Sequence, residues 1–591
     1  MCDYLKRIKF TIFIAACLGM LVNCSQKNQK KTLFQLLDSE ETHVDFNNAL
    51  TSTDSLNILD FEYMYNGAGV AIGDINNDGL SDMYFSGNQV SGKLYLNKGN
   101  LTFEDITDKA GVATTGWSNG VSMSDVNNDG FVDIYVCRGG PRETKEEDKG
   151  NLLFLNQGDG TFKELAQEMG VADTGYSIQA LFFDYDKDGH KDLYVLTNAL
   201  VDYNRNNTKP IEVKGEAAST DRLYRNNGDG TFTDVSQQAG VTIEGFGLGI
   251  TVCDINEDLW PDLYISNDFL TNDILYVNNQ DGTFTDKVKE YIKHQSYNGM
   301  GNDVADIDND GKSDIMVLDM FPQDNKRIKQ TMMKPSYDTY TRNLMKGYSP
   351  QFVRNTLQLN NGNGTFSEVG QLTGLHNTDW SWAPLIADFD NDGWKDVFIT
   401  NGYRRDITNL DYVVYSEQNS VFGEKKVNEK DQLDKLTSLP EVKLHNYIYK
   451  NNGDLTFTDM VDEWGFDLPT YSNGAAYADL DNDGDLEIVV NNIDDKASIY
   501  KNNTIEQQDS IQNNSHFLRV KLTGTLDPTG TKVSLYNDGS SQHQSFSPVR
   551  GYLSNVEQAF HFGLGKSTEI DSLKVVWPNG FEQTIHGLQA N

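Results

Sequence analysis

The chain is poor in cysteine, with five in 591 residues. So few thiols make no disulfide framework for a chain of this size, and something else must hold the fold. Basic residues are also scarce. Lys and Arg total 49 against 87 Asp and Glu, a formal net charge of −38 with a pI near 4.5. That deficit argues against sequence-independent nucleic-acid binding, which needs cationic side chains to replace counterions. Beyond the first two dozen residues no apolar run approaches the ~20 residues of a membrane-spanning helix. There is no H-E-x-x-H, G-x-S-x-G, phosphate loop or dinucleotide fingerprint. What is present is a composition 38% hydrophobic and 11% aromatic, enough to bury a sizeable core and to exclude wholesale disorder. Gly at 51, Tyr at 28 and Phe at 29 favour β structure with many tight turns. So much uncompensated acid points to bound cations.

At the N-terminus, Lys6, Arg7 and Lys9 precede an apolar run from Phe10 to Val22. A basic head and a short apolar stretch read as a secretory signal over residues 1–23. Leu21-Val22-Asn23-Cys24 resembles a bacterial lipobox, in which the Cys is acylated and becomes the mature N-terminus. Asn23 departs from the small residue usual before that Cys, and an ordinary cleaved signal is the alternative. The resemblance implies lipidation at Cys24 and an envelope lipoprotein, in the periplasm or at the outer membrane surface. Membrane attachment is then through the lipid alone. Cys2 and Cys17 leave with the signal, and Cys137 and Cys253 remain.

The dominant feature is a nine-residue pattern, D-x-[DN]-x-D-G-x-x-[DE], found seven times. The copies run Asp74 to Asp82, Asp125 to Asp133, Asp184 to Asp192, Asp254 to Asp262, Asp306 to Asp314, Asp388 to Asp396 and Asp479 to Glu487. Strand-like runs flank each copy, such as Gly69-Val-Ala-Ile before and Met83-Tyr-Phe after the first. A second pattern follows after a variable gap: Leu94-Tyr-Leu-Asn97 then Leu101-Thr-Phe103, and Leu223-Tyr-Arg-Asn226 then Gly230-Thr-Phe232. Asp-Gly and Asn-Gly between apolar runs are hairpin signals. Each unit therefore reads as four strands, and seven such units predict an all-β, seven-bladed β-propeller over residues 32–502. Unit seven lacks its own Gly-Thr-Phe strand. The stretch from Thr32 to Leu37 resembles an orphan of that strand and is expected to complete the last blade and close the array.

These loops and hairpins resemble FG-GAP/VCBS repeats, as in the heads of integrin α-subunits. Residues 515–591 resemble an ASPIC/UnbV domain through Phe517-Leu-Arg-Val-Lys-Leu-Thr-Gly524, Arg550-Gly-Tyr552, His561-Phe-Gly-Leu-Gly565 and Val576-Trp-Pro-Asn-Gly580. The pairing of modules is similar to the cartilage acidic protein family and its bacterial relatives. The resemblance implies about six or seven structural Ca²⁺ sites, a cation that takes six to eight oxygens. Loop positions 1, 3, 5 and 9 would supply them: Asp74, Asn76, Asp78 and Asp82; Asp125, Asn127, Asp129 and Asp133; Asp184, Asp186, Asp188 and Asp192, with the carbonyl of His190. The remaining sets are Asp254, Asn256, Asp258 and Asp262; Asp306, Asp308, Asp310 and Asp314; Asp388, Asp390, Asp392 and Asp396; and Asp479, Asp481, Asp483 and Glu487. Loop four departs most, with Leu259 where Gly is expected at a position that needs positive φ.

Strand alternation puts the acidic loops and the Gly-Thr-Phe hairpins on one face. Insertions at about 138–150, 199–221, 319–352 and 403–446 fall on the other. The third carries Lys326, Arg327, Lys329, Lys334, Arg342 and Lys346 among Tyr337, Tyr340 and Tyr348, either a recognition patch or packing. Tyr65, Trp117, Tyr176, Phe246, Tyr297, Trp380 and Tyr471 recur just before each unit's first strand, placed either for sugar stacking or for packing between blades. Arg404-Arg405-Asp406 reads as an anion clamp or a surface ion pair. The expectation is a monomeric, non-catalytic interaction module that binds a protein or glycan on the insertion face. The alternative is a polysaccharide-active enzyme, which needs only two carboxylates, on that face or in the channel.

Overall fold

The computed structural model describes residues 32–142, 144–199, 209–331, 336–411, 436–437, 439–505, 515–524 and 526–591. The signal residues and Cys24 lie outside them. Each acidic loop belongs to a unit of four antiparallel strands; six of the units are separate four-stranded sheets, and that of unit one is continued to six strands by Ser554–Asn555 and Val549–Arg550. In unit three Ser177–Phe183 pairs with Asp192–Thr197, which pairs with Arg222–Asn226, which pairs with Phe232–Asp234. The first two strands are buried along their whole length, as their near-continuous apolar runs require of strands covered on both faces. The outermost strand buries only its Phe and exposes the two polar residues that follow. Its last residue then starts a single helical turn: Asp234 Oδ1 accepts from Ser236 N at 2.9 Å.

Unit seven takes its outer strand from the other end of the chain. Phe34–Leu36 pairs antiparallel with Ser498–Asn502, and Phe34 stands opposite Asn502 as Phe103 stands opposite Asn97 and Phe232 opposite Asn226. The first strands of successive units lie side by side, and Ser472–Ala478 of unit seven lies beside Val70–Gly73 of unit one. Phe34 is fully buried between Phe389, Trp464 and Phe466.

The C-terminal module pairs His516–Val520 with Phe560–Gly565, and builds a four-stranded sheet in the order Ser540–Ser545, Lys532–Asn537, Glu569–Val576, Glu582–Gln589. Leu535, Phe546, Phe562 and Leu573 lie in the core between them. The module sits on the acidic-loop side and sends one hairpin inward. Val549–Arg550 and Ser554–Asn555 form it, with Asn555 in parallel register with Ala71. Gly551 and Asn302 exchange backbone hydrogen bonds, Val121 N donates to Leu553 O, and Gln179 Nε2 donates to Ser554 O. Arg550 Nη1 lies 3.2 Å from Asp303 Oδ1, a fully buried ion pair. From the opposite side Ile58, Phe61, Met64 and Tyr65 pack inward, Phe61 edge-on to Trp117 at 5.1 Å. The space between the first strands, one of the two places where the enzyme alternative puts its carboxylates, thus holds side chains. Cys137 and Cys253 are buried free thiols. No helix among the described residues is long and apolar enough to cross a membrane.

Candidate metal centres

In six of the loops the position-1 carboxylate caps the turn with both oxygens. Asp184 Oδ1 accepts from Asp188 N at 3.1 Å and Oδ2 from Gly189 N at 2.9 Å, and Asp74, Asp125, Asp254, Asp306 and Asp388 repeat the arrangement. Position 9 is a keystone in all seven. One oxygen accepts from the backbone N–H of position 2, and the other from that of the Asn ending the third strand. Asp192 does so with Tyr185 at 3.2 Å and Asn226 at 2.8 Å; Asp82, Asp133, Asp262, Asp314, Asp396 and Glu487 do the same.

The Asn of the keystone works between units. Asn97, Asn156, Asn278, Asn360, Asn451 and Asn502 each donate Nδ2 to the position-2 carbonyl of the preceding unit's loop; for Asn97 that is Leu480 O of unit seven, at 2.8 Å. Position 4 is left-handed in every loop, with φ from 56° to 62° at Asn77, Asn128, Lys187, Glu257, Asn309, Asn391 and Asn482. Asn tolerates that conformation best after Gly. Five of these side chains reach the position-6 carbonyl of the next loop, and Asn482 reaches Gly79 O at 3.0 Å. The sequence pattern displayed the Asn that ends the third strand but left position 4 open, and repetition alone does not tell a stitch from a turn.

Four loops gather carboxylates closely enough to share an ion. One oxygen from each of Asp184, Asp186 and Asp192 lies within 4.8 Å of the others, and so it is for Asp306, Asp308 and Asp314, for Asp388, Asp390 and Asp396, and for Asp479, Asp481 and Asp483. Burial pushes these groups up: Asp184, Asp390 and Asp479 to about 6, Asp314 to about 8 and Asp192 to about 9, with repulsion from neighbouring carboxylates adding to it. Such groups resist ionising until a cation faces them, as the Lys450 ammonium does at Asp390 and Asp392 of loop six. Asp390 Oδ1, Asp479 Oδ1 and Asp481 Oδ1 are buried without a hydrogen-bond partner. A carboxylate oxygen that accepts one N–H keeps a second lone pair. An all-oxygen, carboxylate-rich donor set of this kind fits Ca²⁺.

Loops one, two and four differ. Their position-3 Asn turns Nδ2 towards position 5, with Asn76 to Asp78, Asn127 to Asp129 and Asn256 to Asp258 at 2.9 to 3.0 Å. Loop four differs further. Leu259 holds the turn at φ 69°, where the other six loops place Gly at 88° to 99°. Lys532 of the C-terminal module puts its ammonium 3.0 Å from Asp254 Oδ2, and Gln280 Nε2 donates to Asp258 Oδ2 at 2.9 Å. The same module brings Lys521 to 3.8 Å from Asp74 and Arg519 to 3.5 Å from Asp479.

On the opposite side the insertions meet one another. Arg327 donates to Asp379 and, at 2.9 Å, to Asp406, so one charge of the basic stretch is neutralised inside the fold. Tyr348 donates to Lys209 O at 2.7 Å, Tyr340 stacks on Phe352, and Tyr337 is 81% exposed. Arg404 pairs with Asp494 and Arg405 with Glu441, so both guanidinium groups have protein partners. Of the seven recurring aromatics Tyr65, Trp117, Phe246, Trp380 and Tyr471 are buried, and Tyr176 and Tyr297 are half-buried.

A family profile described as FG-GAP-like repeat matches residues 74–136, 144–195, 213–265, 254–317, 348–399 and 434–490, more than half of the chain. A second, described as ASPIC and UnbV, matches residues 523–591. Cartilage acidic protein 1 of Xenopus tropicalis is 25% identical over 542 residues, covering 87% of this chain and 70% of the relative. The mouse protein is 23% identical with the same coverage, and the human protein 23% identical, covering 78% of this chain and 60% of its own length. A solved lectin from Agrocybe aegerita, which recognises non-reducing terminal N-acetylglucosamine, overlaps 68% of this chain and 84% of its own at 17% identity. Its TM-score of 0.35 is too low to bear on fold or ligand.

Proposed function

The chain belongs to the FG-GAP-like repeat family and ends in an ASPIC and UnbV module, and on that premise we propose that it is an extracytoplasmic, calcium-stabilised binding module. In this reading residues 32–502 form a closed seven-bladed β-propeller and 515–591 a β domain seated on its calcium face. Closure is supported by three links between units seven and one: the Phe34–Leu36 strand, Asn97 to Leu480 O, and Asn482 to Gly79 O. Calcium sits in the acidic loops, on the carboxylates and amides at positions 1, 3, 5 and 9, with loops three, five, six and seven the strongest. The basic-apolar leader supplies export, and acylation at Cys24 tethers a monomer to the envelope.

The observation that carries the reading is the division between the two faces. One face repeats the position-9 contacts through every unit and carries the C-terminal module. The other carries the non-repeated insertions and faces solvent with residues such as Tyr337. A rigid scaffold presenting irregular loops is a recognition architecture, so the ligand is a protein or glycan on the insertion face. Arg550 neutralises Asp303 in the space between the first strands, which removes that carboxylate from acid–base work. Screening the purified, calcium-loaded chain for binding and for product release on protein and glycan arrays tests the proposal. Calcium-dependent binding without turnover is expected. Turnover abolished by replacing one insertion-face carboxylate would overturn it.

A further inference from the structure

The loops divide by the residue at position 3, and a residue outside the loop divides with it. Loops one, two and four carry Asn76, Asn127 and Asn256 there, while loops three, five, six and seven carry Asp186, Asp308, Asp390 and Asp481. The residue before the keystone Asn, on the third strand, is Leu96, Leu155 or Val277 in the first group. In the second it is Arg225, Leu359, Lys450 or Lys501. A base therefore stands at this position in three of the four units with Asp at position 3, and in none of those with Asn. The register is the same each time. Arg225 lies opposite Thr233, Lys450 opposite Thr458 and Lys501 opposite Gln35, one residue before the Asn–Phe pair that ends each ladder.

What the base does is visible at position 5. In loop one Asp78 Oδ1 accepts from Leu80 N and Oδ2 from the Asn76 amide, each at 2.9 Å. In loop six Asp392 Oδ1 accepts from Trp394 N at 2.9 Å, and Oδ2 from the Lys450 ammonium at 2.5 Å. The ammonium takes the place of the amide proton that Asp390 lacks, and it donates to Asp390 Oδ2 as well. Lys501 reaches Asp481 Oδ2 at 3.3 Å, and Arg225 is near enough to Asp186 for its charge to act there. In loops six and seven the other oxygen of position 3, Asp390 Oδ1 or Asp481 Oδ1, is buried without a hydrogen-bond partner. Loop five, whose third strand offers only Leu359, draws its donor from position 7: Lys312 Nζ donates to Asp310 Oδ2. Two adjacent carboxylates with no donor between them repel each other. The base also brings a four-carboxylate loop to the net charge of a three-carboxylate one.

We infer that Lys450 and Lys501 are positioning residues for calcium, each holding one oxygen of the position-3 carboxylate so that the other is left for the metal. Lys450 ties that carboxylate to position 5, as the Asn amide does in loops one, two and four. The inference rests on the calcium reading of the loops. Partners that orient metal ligands in this way typically govern metal affinity by about ten- to a hundredfold. An ammonium that occupied the ion's own place would act in the opposite sense, and its removal would tighten binding.

Trp394 is position 7 of loop six, so Tb³⁺ bound there is excited through its indole. The luminescence that is lost in Trp394→Phe belongs to loop six, and Ca²⁺ titrated against it reads that loop's affinity in the full chain. Lys450→Met should weaken Ca²⁺ about tenfold, and Lys450→Arg should keep it within about twofold. Adding Asp390→Asn to Lys450→Met should restore binding, because Asn brings its own donor. Unchanged or tighter Ca²⁺ in Lys450→Met, or a double variant no better than the single, overturns the inference. If Lys450→Met does not fold, folding regained in the double variant, read by circular dichroism, supports it, and a double variant that is also unfolded overturns it. Wild-type chain without Trp394-dependent luminescence that Ca²⁺ displaces would sink the calcium reading of loop six, and the role of Lys450 with it.

Discussion

On the acidic-loop side, Asn77, Asn128, Asn309, Asn391 and Asn482 repeat one contact, and the position-9 carboxylate repeats another in all seven units. On the insertion side the aromatics at equivalent positions meet different partners. Trp117 meets Phe61, Tyr65 meets Tyr403, and Tyr297 meets Phe269. Identical contacts are what a scaffold needs, since each sheet must meet its neighbours in the same way. Unlike contacts are what a recognition surface needs, since a ligand has no sevenfold symmetry. The C-terminal module reinforces the contrast by docking on the repeated side and leaving the irregular one open.

Several substitutions sharpen that contrast. Arg550→Ala leaves Asp303 charged and unpaired among the first strands, and about 3–5 kcal/mol of unfolding free energy should be lost in denaturant titration. Asp82→Ala, Asp133→Ala and Asp314→Ala each orphan two backbone N–H groups. Near-equal losses of about 2–4 kcal/mol are expected in chelator, where no bound ion separates the loops, whichever unit is chosen. By contrast, Trp117→Ala and Tyr176→Ala should differ widely, because Trp117 is buried and Tyr176 half-buried. Equal losses from that second pair would erase the distinction between the sides.

A smaller effect concerns the docking of the C-terminal module. Burial, with the Arg519 charge adding to it, pushes His561 down from its ordinary value of 6.5 to about 3, and its Nε2 lies 2.6 Å from Asn391 Oδ1. A depressed folded-state value means that the stability is present above pH 6.5 and is lost as pH falls towards 3. The loss is at most about 1.4 kcal/mol per pH unit. Between pH 6.5 and 5 the wild type should therefore lose about 2 kcal/mol that His561→Gln does not, measured as the change in their stability difference. Smallest of all, Leu259→Gly should add about 1 kcal/mol by relieving the left-handed Leu, which would make loop four more like its six counterparts. A loss instead would mean that Leu259 contributes packing that outweighs the strain.

The legible part of this chain was local. The Asp at positions 1, 5 and 9, the Gly at 6 and the Phe of the outer strand stand at fixed short spacings, because each serves a turn or hairpin closed within a few residues. The orphan strand at Phe34 was readable for the same reason: it repeats a residue pattern present elsewhere. The contacts that fill the space between the first strands were not. Arg550 meets Asp303 across 247 residues of sequence, and nothing periodic marks either partner. Charge runs left two readings open. Arg327 sits in a basic stretch that reads as either a recognition patch or packing, and its own side chain is tied between Asp379 and Asp406.

The account rests on divalent cation held in the acidic loops, and thermal unfolding of the purified full chain with and without chelator tests it most directly. With site affinities near 0.1 mM and ~1 mM Ca²⁺, each filled loop contributes ~1.4 kcal/mol, and six of them about 8 kcal/mol. The predicted result is a large fall in melting temperature on adding chelator, restored by excess Ca²⁺. Superimposable melting curves under the two conditions would contradict it.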